Sequence, residues 1–148
     1  MAGRPASRRR AAPALVLQLP SETAYLGVVR DLTRKMAEIA GFDAATATNV
    51  ALAVDEAASN VIEHAYHGAP GKRFEVRIDD AGGEFRVEVV DGGRMVDPRT
   101  LPRVDLERYA SERRTGGLGV HLMGKIMDSV TFRRSARKNV CVLVKRKP

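Results

Sequence analysis

Three side chains of different chemistry follow one another at four-residue intervals in the segment DEAASNVIEHAYHG (55–68): Glu56, Asn60 and His64. Residues four apart lie on the same face of a helix, so an acid, an amide and an imidazole would form one polar stripe. A polar stripe is most often a solvated face. Asparagine, however, is a mediocre helix former, and solvated helix faces more commonly carry Glu, Lys, Arg or Gln. The stripe therefore indicates either a solvent-facing surface or one wall of a site.

A second segment that could meet this stripe is VEVVDGGRMVDP (87–98), where a hydrophobic strand runs into Asp91, Gly92 and Gly93. A carboxylate at a strand end can accept a hydrogen bond from a planar amino group. Glycine beside it lets a ring approach the backbone closely. Taken alone, the same residues also fit a plain Asp-Gly-Gly turn.

A third segment is RRTGGLGVHLMGK (113–125), in which Gly116, Gly117 and Gly119 precede an amphipathic helix. The free N–H groups and the dipole at a helix N-terminus attract anions such as phosphate. A flexible hinge before a helix is the alternative reading. A glycine-rich loop is weak evidence by itself, but the three segments together, in this order, are a much stronger signal.

The elements that must position these residues follow from hydrophobic periodicity and turn residues. Helices are predicted from Ser21, as N-cap, to Gly41 and from Asp43, as N-cap, to Tyr66, and again over 117–128. Strands are predicted over 14–20, 72–79, 83–91, 129–135 and 139–147. Residues 1–13 are predicted to be a flexible basic tail and 14–148 one domain. The order predicts an α+β fold, a two-layer α/β sandwich with a mostly antiparallel mixed sheet and helices on one face.

Composition narrows the class of protein. The chain has 148 residues and a net charge of +7, but residues 14–132 hold 14 basic and 18 acidic residues, so the excess positive charge lies at the two ends. Nucleic-acid binding is therefore disfavoured and limited to the basic ends. The apolar runs are shorter than the roughly 20 residues of a membrane helix, no signal-peptide core follows the basic N-terminus, and Cys141 is the single cysteine. These features predict a cytoplasmic protein without membrane association.

The three segments together resemble the N box and the two glycine boxes of the GHKL ATPases, which share the Bergerat ATP-binding fold. The likeness is strongest to single-domain anti-sigma-factor serine/threonine kinases and covers about residues 14–146. EAASNVIEHAY is similar to their E-x-x-x-N-x-x-x-H-A-Y helix, DGGRMVDP to their D-x-G-x-x-F-D-P turn with Val96 in place of Phe, and GGLGVHLMGKIMD to their G-G-x-G-x-x-L-x-x-x-x-x-D pattern.

The resemblance implies ATP and Mg²⁺ as cofactors and assigns roles to residues of this chain. Glu56 would be the catalytic general base, and Asn60 would bind Mg²⁺ and nucleotide. Asp91 would accept a hydrogen bond from the adenine amino group, and Gly93 would allow the base to approach. The phosphates would lie on a loop made of Thr115, Gly116, Gly117, Leu118 and Gly119. His64 would have a structural role.

The activity implied by the resemblance is phosphorylation of a STAS-domain anti-anti-sigma factor, combined with sequestration of a sigma factor. A homodimer stays open. The alternative is a Bergerat-fold binding module that holds a protein partner without catalytic turnover.

Overall fold

The computed structural model describes residues 13–93 and 119–148, and within these ranges the chain forms one five-stranded sheet. The strands lie in the order β1-β2-β3-β5-β4, and every pairing between them is antiparallel. The predicted sheet was mostly antiparallel and mixed, and in the described residues it contains no parallel pair of strands. The strands are β1 (Leu15–Pro20), β2 (Arg73–Asp79), β3 (Glu84–Asp91), β4 (Ser129–Ser135) and β5 (Lys138–Arg146).

Helices cover one face of the sheet, as expected for an α+β fold. A 3₁₀ turn, Thr23–Tyr25, leads into α1, and a π-helical turn, Val61–Ala65, follows α2. The α-helices are α1 (Leu26–Ile39), α2 (Ala44–Asn60) and α3 (Gly119–Ile126). In the described residues no helix is both long and apolar enough to cross a lipid bilayer.

Alternation along the strands explains which face of the sheet is covered. In β3, Phe85, Val87 and Val89 are fully buried against the helices, and the residues between them face outwards. Phe85 also packs edge-on against Phe42, with ring centroids 5.9 Å apart. Burying several large apolar side chains at about 1.5–3 kcal/mol each is the main term that holds the helices on the sheet.

The outer face of the sheet is charged. Glu88 on β3 lies 2.9 Å from the guanidinium of Arg86 and 3.8 Å from those of Arg77 and Arg133. Four valines on this face are nevertheless buried and form a second small cluster: Val90, Val140, Val142 and Val144.

The start of the first helix differs from the prediction. Ser21 does not cap a helix: it is buried, its N–H donates to the carbonyl of Lys72 (2.8 Å), and the α-helix begins only at Leu26. Because Ser21 pairs with Lys72, the residue before β2, the extended backbone of β1 continues through Ser21 and the helix begins later in the chain. The Asp43 cap is confirmed, because its carboxylate accepts a hydrogen bond from the backbone N–H of Thr46 at 2.7 Å.

The second helix also ends earlier than predicted. The α-helical pattern stops at Asn60, and the next turn is wider, with the N–H of Tyr66 donating to the carbonyl of Val61 at 3.0 Å. A π turn inserts an extra residue into the helical repeat, so it rotates the residues that follow relative to α2. As a result Ala65 and Tyr66 face the ends of β2 and β3.

Candidate functional site

The polar stripe of Glu56, Asn60 and His64 is not fully exposed to water. Glu56 is only 8% exposed, Asn60 is half-buried, and His64 is half-buried with its Nε2 3.7 Å from a carboxylate oxygen of Glu63. The solvent-facing interpretation of the stripe is therefore wrong for its first member. A buried glutamate in a helix that is otherwise rich in alanine and valine needs a specific reason, since charged side chains are rarely buried.

Asp91 lies at the end of β3, on the helix-covered face, and is 7% exposed. Its Oδ1 accepts two hydrogen bonds, from the backbone N–H of Gly93 at 2.8 Å and from Nδ2 of Asn139 at 2.9 Å. Within the described residues no hydrogen bond reaches Oδ2. The carboxylate is thus fixed through Oδ1 by two described residues.

The pKa of Asp91 is set by opposing effects. Burial raises the pKa of the carboxyl above its ordinary value, while the hydrogen bonds from Asn139 and Gly93 and the charge of Arg134 lower it. Burial is the largest of these causes, so the charged form is disfavoured by its surroundings and supported by three specific contacts.

Gly93 touches the backbone of the π turn so closely that no side chain fits there. A Cβ atom at this position would lie 2.7 Å from the carbonyl carbon of Ala65, closer still to its carbonyl oxygen, and 3.0 Å from the ring of Tyr66. The contact at this glycine is with the protein's own backbone, and the approach of a base, which the resemblance implies, stays a prediction.

The Tyr66 side chain also fixes the turn formed by Asp91, Gly92 and Gly93. Its hydroxyl donates to the carbonyl of Arg73 and accepts from the N–H of Gly92, both at 2.8 Å. The phenol thereby ties the start of β2 to the residue that follows β3. Gly92 and Gly93, the two residues after Asp91, thus lie against the segment that directly continues the helix of Glu56 and Asn60.

Of the predicted phosphate loop, only Gly119 is described. It is the first residue of α3, which packs against α2 through the buried side chain of Met123. Thr115, Gly116, Gly117 and Leu118 lie outside the described residues, and so does the region of Val96. The basic tail predicted over 1–13 is described only at Pro13.

A cavity of about 430 Å³ opens on the other side of the Asp91–Gly92 turn. Its wall includes Tyr66, Val90 and Lys138. Most of its lining comes from the outward-facing residues of the strands, whereas the Asp91 side chain points towards the helices. Asp91 is itself among the residues that line the cavity, so the cavity reaches the Asp91–Gly92 turn.

Two residues that hold the site were missed from the sequence. Tyr66 stands at the end of the HAY motif, but no local pattern shows that its hydroxyl reaches Gly92, 26 residues later. Asn139 is a polar residue at a core-facing position of β5, in a run that continues Val-Cys-Val-Leu-Val. An amide at the start of this apolar run, in phase with its core-facing residues, was a usable signal, since buried amides are retained where they can be hydrogen-bonded.

Comparison with known proteins gives consistent matches along the chain. Residues 19–145 match the model of a histidine kinase-like ATPase domain. The chain is similar to the serine-protein kinase RsbW of Bacillus pumilus, with 28% identity over 133 residues that make up 85% of this chain and 82% of that protein. It is likewise similar to the serine-protein kinase RsbW of Listeria monocytogenes, with 30% identity over 120 residues, 78% of this chain and 76% of the relative.

Among solved structures, a similar fold occurs in the histidine kinase domain of the blue-light activated histidine kinase EL346 from Erythrobacter litoralis. The match has a TM-score of 0.52 and 20% sequence identity, and it covers 87% of this chain and 62% of that chain. At this level of identity the likeness concerns the fold alone.

Proposed function

Because the chain belongs to the histidine kinase-like ATPase domain family, we propose that it binds ATP with Mg²⁺ and phosphorylates a serine or threonine of a partner protein. The observation that carries the proposal is the buried Asp91, whose Oδ1 is fixed by two hydrogen bonds while none within the described residues reaches Oδ2. The similarity to serine-protein kinases over most of the chain supports protein phosphorylation as the reaction.

Asp91 would recognise the adenine base by accepting a hydrogen bond from it. An ionised carboxylate only accepts hydrogen bonds, so Oδ2 suits the 6-amino group of adenine and repels the 6-oxo group of guanine or hypoxanthine. The base would lie beside Gly93, whose missing side chain keeps the turn close to Ala65.

Asn60 would hold Mg²⁺. The donor chemistry fits, because Mg²⁺ takes oxygen ligands and commonly keeps several waters, so an amide oxygen together with phosphate oxygens suffices. Within the described ranges, no cluster of three or more His, Cys, Asp or Glu could form an all-protein metal site. Bound Mg²⁺ would neutralise charge on the phosphates, which Thr115, Gly116, Gly117, Leu118 and Gly119 would hold from the other side.

Glu56, one helical turn before Asn60, would act as general base. The serine oxygen would attack the γ-phosphorus, the bond from that phosphorus to the bridging oxygen of ADP would break, and the hydroxyl proton would pass to Glu56. In phosphoryl transfer the base mainly orients and deprotonates the attacking hydroxyl, while positioning and charge stabilisation supply most of the acceleration.

The proposed protein substrate is a STAS-domain anti-anti-sigma factor, and the competing partner is a sigma factor. A kinase that binds either partner would release the antagonist once it is phosphorylated and would then hold the sigma factor. Such switching requires only that the two partners differ in affinity before and after phosphorylation.

A second candidate function is a nucleotide-dependent binding module without turnover. The burial of Glu56 favours it, because a general base that is 8% exposed must first become accessible to a protein hydroxyl. The two functions share the nucleotide site and differ only in phosphoryl transfer.

Glu56→Gln separates these functions, since it keeps the side-chain shape and removes the basic carboxylate. We expect nearly unchanged affinity for ADP and Mg²⁺ by calorimetry, and transfer from radiolabelled ATP lowered by about 10²-fold or more, the scale of general-base contributions. The substrate would be a STAS-domain protein that co-purifies with the chain.

Two further variants complete the test. Glu63→Gln makes the same change at an exposed acid of the π turn and should leave transfer unchanged. Asn60→Ala should lower both nucleotide affinity and transfer. If the wild type binds ADP and a sigma factor but transfers no phosphate, the binding-module function is correct.

A further inference from the structure

The side chains of Arg134 and Asn139 form a short chain of hydrogen bonds that ends on Asp91. Arg134 NH1 donates to Asn139 Oδ1 at 3.2 Å, and Asn139 Nδ2 donates to Asp91 Oδ1 at 2.9 Å and to the carbonyl of Gly93 at 2.8 Å. We propose that Arg134 and Asn139 are positioning residues that fix Asp91 as a one-sided acceptor and thereby determine the base selectivity of the nucleotide site. The proposal rests on the nucleotide binding proposed above.

The orientation of the Asn139 amide is fixed by its three partners. Both partners of Nδ2, the Asp91 carboxylate and the Gly93 carbonyl, are acceptors, whereas the guanidinium of Arg134 can only donate. In the flipped orientation the amide oxygen would face two acceptors and the amide NH₂ group would face a cation. Arg134 therefore locks the orientation in which Asn139 donates to Asp91.

The orientation of the Asn139 amide matters because its NH₂ group contacts both Asp91 and the turn at Gly93. Its bond to Asp91 Oδ1 holds the carboxylate plane, and its bond to the Gly93 carbonyl holds the turn that the base must pass. Asn139 is only 9% exposed, so water cannot easily replace either bond. Without this amide, the carboxylate can rotate about its last torsion and gain a proton more readily, and a protonated carboxyl can donate to a 6-oxo group.

The register of the sheet makes this arrangement possible. Asn139 stands directly opposite Asp91 in the β3–β5 pair, and Arg134 stands directly opposite Asn139 in the β4–β5 pair. The three side chains therefore share one face across three neighbouring strands. Arg133, the residue before Arg134, faces the opposite side of the sheet, where it lies 3.8 Å from Glu88.

The readout is selectivity between adenine and hypoxanthine nucleotides. The affinities of ADP and inosine diphosphate are measured by calorimetry with Mg²⁺ for the wild type, Asn139→Ala, Asn139→Leu, Arg134→Ala and Arg133→Ala. A loss of folding or of general site shape lowers both affinities together, whereas a loss of Asp91 positioning lowers their ratio.

We expect the wild type to prefer ADP. The preference should fall by about tenfold or more in both Asn139 variants, the size of one lost hydrogen bond to a charged group. Asn139→Leu keeps the same branched arrangement of side-chain heavy atoms, so a role as mere filler would leave its ratio intact. Arg134→Ala should lower the ratio by a smaller factor, and Arg133→Ala should leave it unchanged.

Arg134 is exposed, so its variant tests the proposal even if the Asn139 variants do not fold. An unchanged ratio in Arg134→Ala, or an equal fall in Arg133→Ala, overturns the positioning role. Absence of ADP binding by the wild type at millimolar concentration instead overturns the proposed function, and the positioning role falls with it.

Discussion

Asp91 illustrates how this site trades stability for recognition at the scale of one residue. Burial raises the pKa of its carboxyl, so the ionised form that recognises a base is less favourable in the folded protein than in the unfolded chain. A group whose folded pKa is raised stabilises the fold below its unfolded pKa and loses that contribution as pH rises through the folded value. At neutral pH the charge of Asp91 therefore reduces the free energy of unfolding.

Asp91→Asn tests this trade-off. An asparagine amide oxygen can still accept the hydrogen bonds from Gly93 and Asn139, while the charge and the second acceptor disappear. We expect urea unfolding at pH 7 to show equal or greater stability, an advantage that shrinks as pH falls through the raised pKa, together with weaker ADP binding. Asp79→Asn, whose carboxylate accepts from the N–H of Ala81, is the matched control and should leave ADP binding unchanged. Lower stability of Asp91→Asn at pH 7 would contradict the argument.

Gly93 is a second residue whose type is determined by one contact, its close approach to the backbone of Ala65. In Gly93→Ala the new methyl group must displace backbone atoms of Ala65, which cannot rotate away as a side chain can. We expect a loss of about 1–3 kcal/mol in the free energy of unfolding, the usual range for overpacking, together with weaker ADP binding. Gly83→Ala is the control, since a Cβ there meets no atom within 4 Å. Equal unfolding midpoints for the two variants would show that the turn moves freely from Ala65.

At the scale of elements, the strands and the fold class could be predicted because each strand alternates apolar and polar residues between clear turn signals. The predicted strand 129–135 coincides with β4, the predictions for β1, β2 and β3 each begin one residue early, and the prediction for β5 is one residue late at both ends. The resemblance to the GHKL ATPases is also confirmed, since it rested on motifs with fixed spacing. What could not be predicted are features decided by tertiary contacts, such as the late start of α1 and the π turn after Asn60.

The candidate site shows the same division. Glu56, Asn60, Asp91 and Gly93 could be singled out because their types and spacing carry the signal. Asn139 could not be assigned to Asp91, because the two residues meet only through strand register, 48 positions apart. The roles given to all four of these residues stay predictions.

Tyr66 directly follows the π turn, and Tyr66→Phe measures how much its hydroxyl contributes to holding β2 and the end of β3 together. The variant removes one hydroxyl and with it the bonds to Arg73 and Gly92. We expect the free energy of unfolding to fall by about 1–2 kcal/mol and ADP affinity to fall as well. Tyr25→Phe is the matched control, because no hydrogen bond of its hydroxyl is found in the described residues, and its stability should change by less than about 0.5 kcal/mol. Similar losses in both variants would assign the effect to packing of the ring.

For the whole molecule, charge separates the ends of the chain from its body. Residues 14–132 hold four more acidic than basic residues, whereas four arginines lie among the first ten residues. Phosphate backbones bind basic groups with a strong dependence on salt. The distribution therefore favours protein partners for the body and limits any nucleic-acid contact to the ends.

Affinity capture from a lysate of the native host tests this division. With ADP and Mg²⁺ present, the full chain should retain a sigma factor or a small STAS-domain protein, and deletion of residues 1–13 should not alter that retention. Any DNA binding should weaken steeply between 50 and 200 mM salt, about 10²-fold if each of the four tail arginines contacts one phosphate, and should be lost with the tail. Recovery of nucleic acid in place of a protein partner, dependent on residues 1–13, would contradict the assignment.

The contacts that hold the Asp91 turn also decide when it can form. Tyr66 reaches it from 26 residues before Gly92, and Asn139 from 46 residues after Gly93. Contacts so distant in sequence pay their loop-closure entropy before they yield any stability, so they form late in folding. A chain synthesised only as far as β4 has the acidic residue and its glycines but lacks the amide that orients them. The arrangement around Asp91 would therefore be complete only once β5 has docked. A nucleotide that needs Asp91 held in place would then stabilise the native state but not the folding intermediates that precede it.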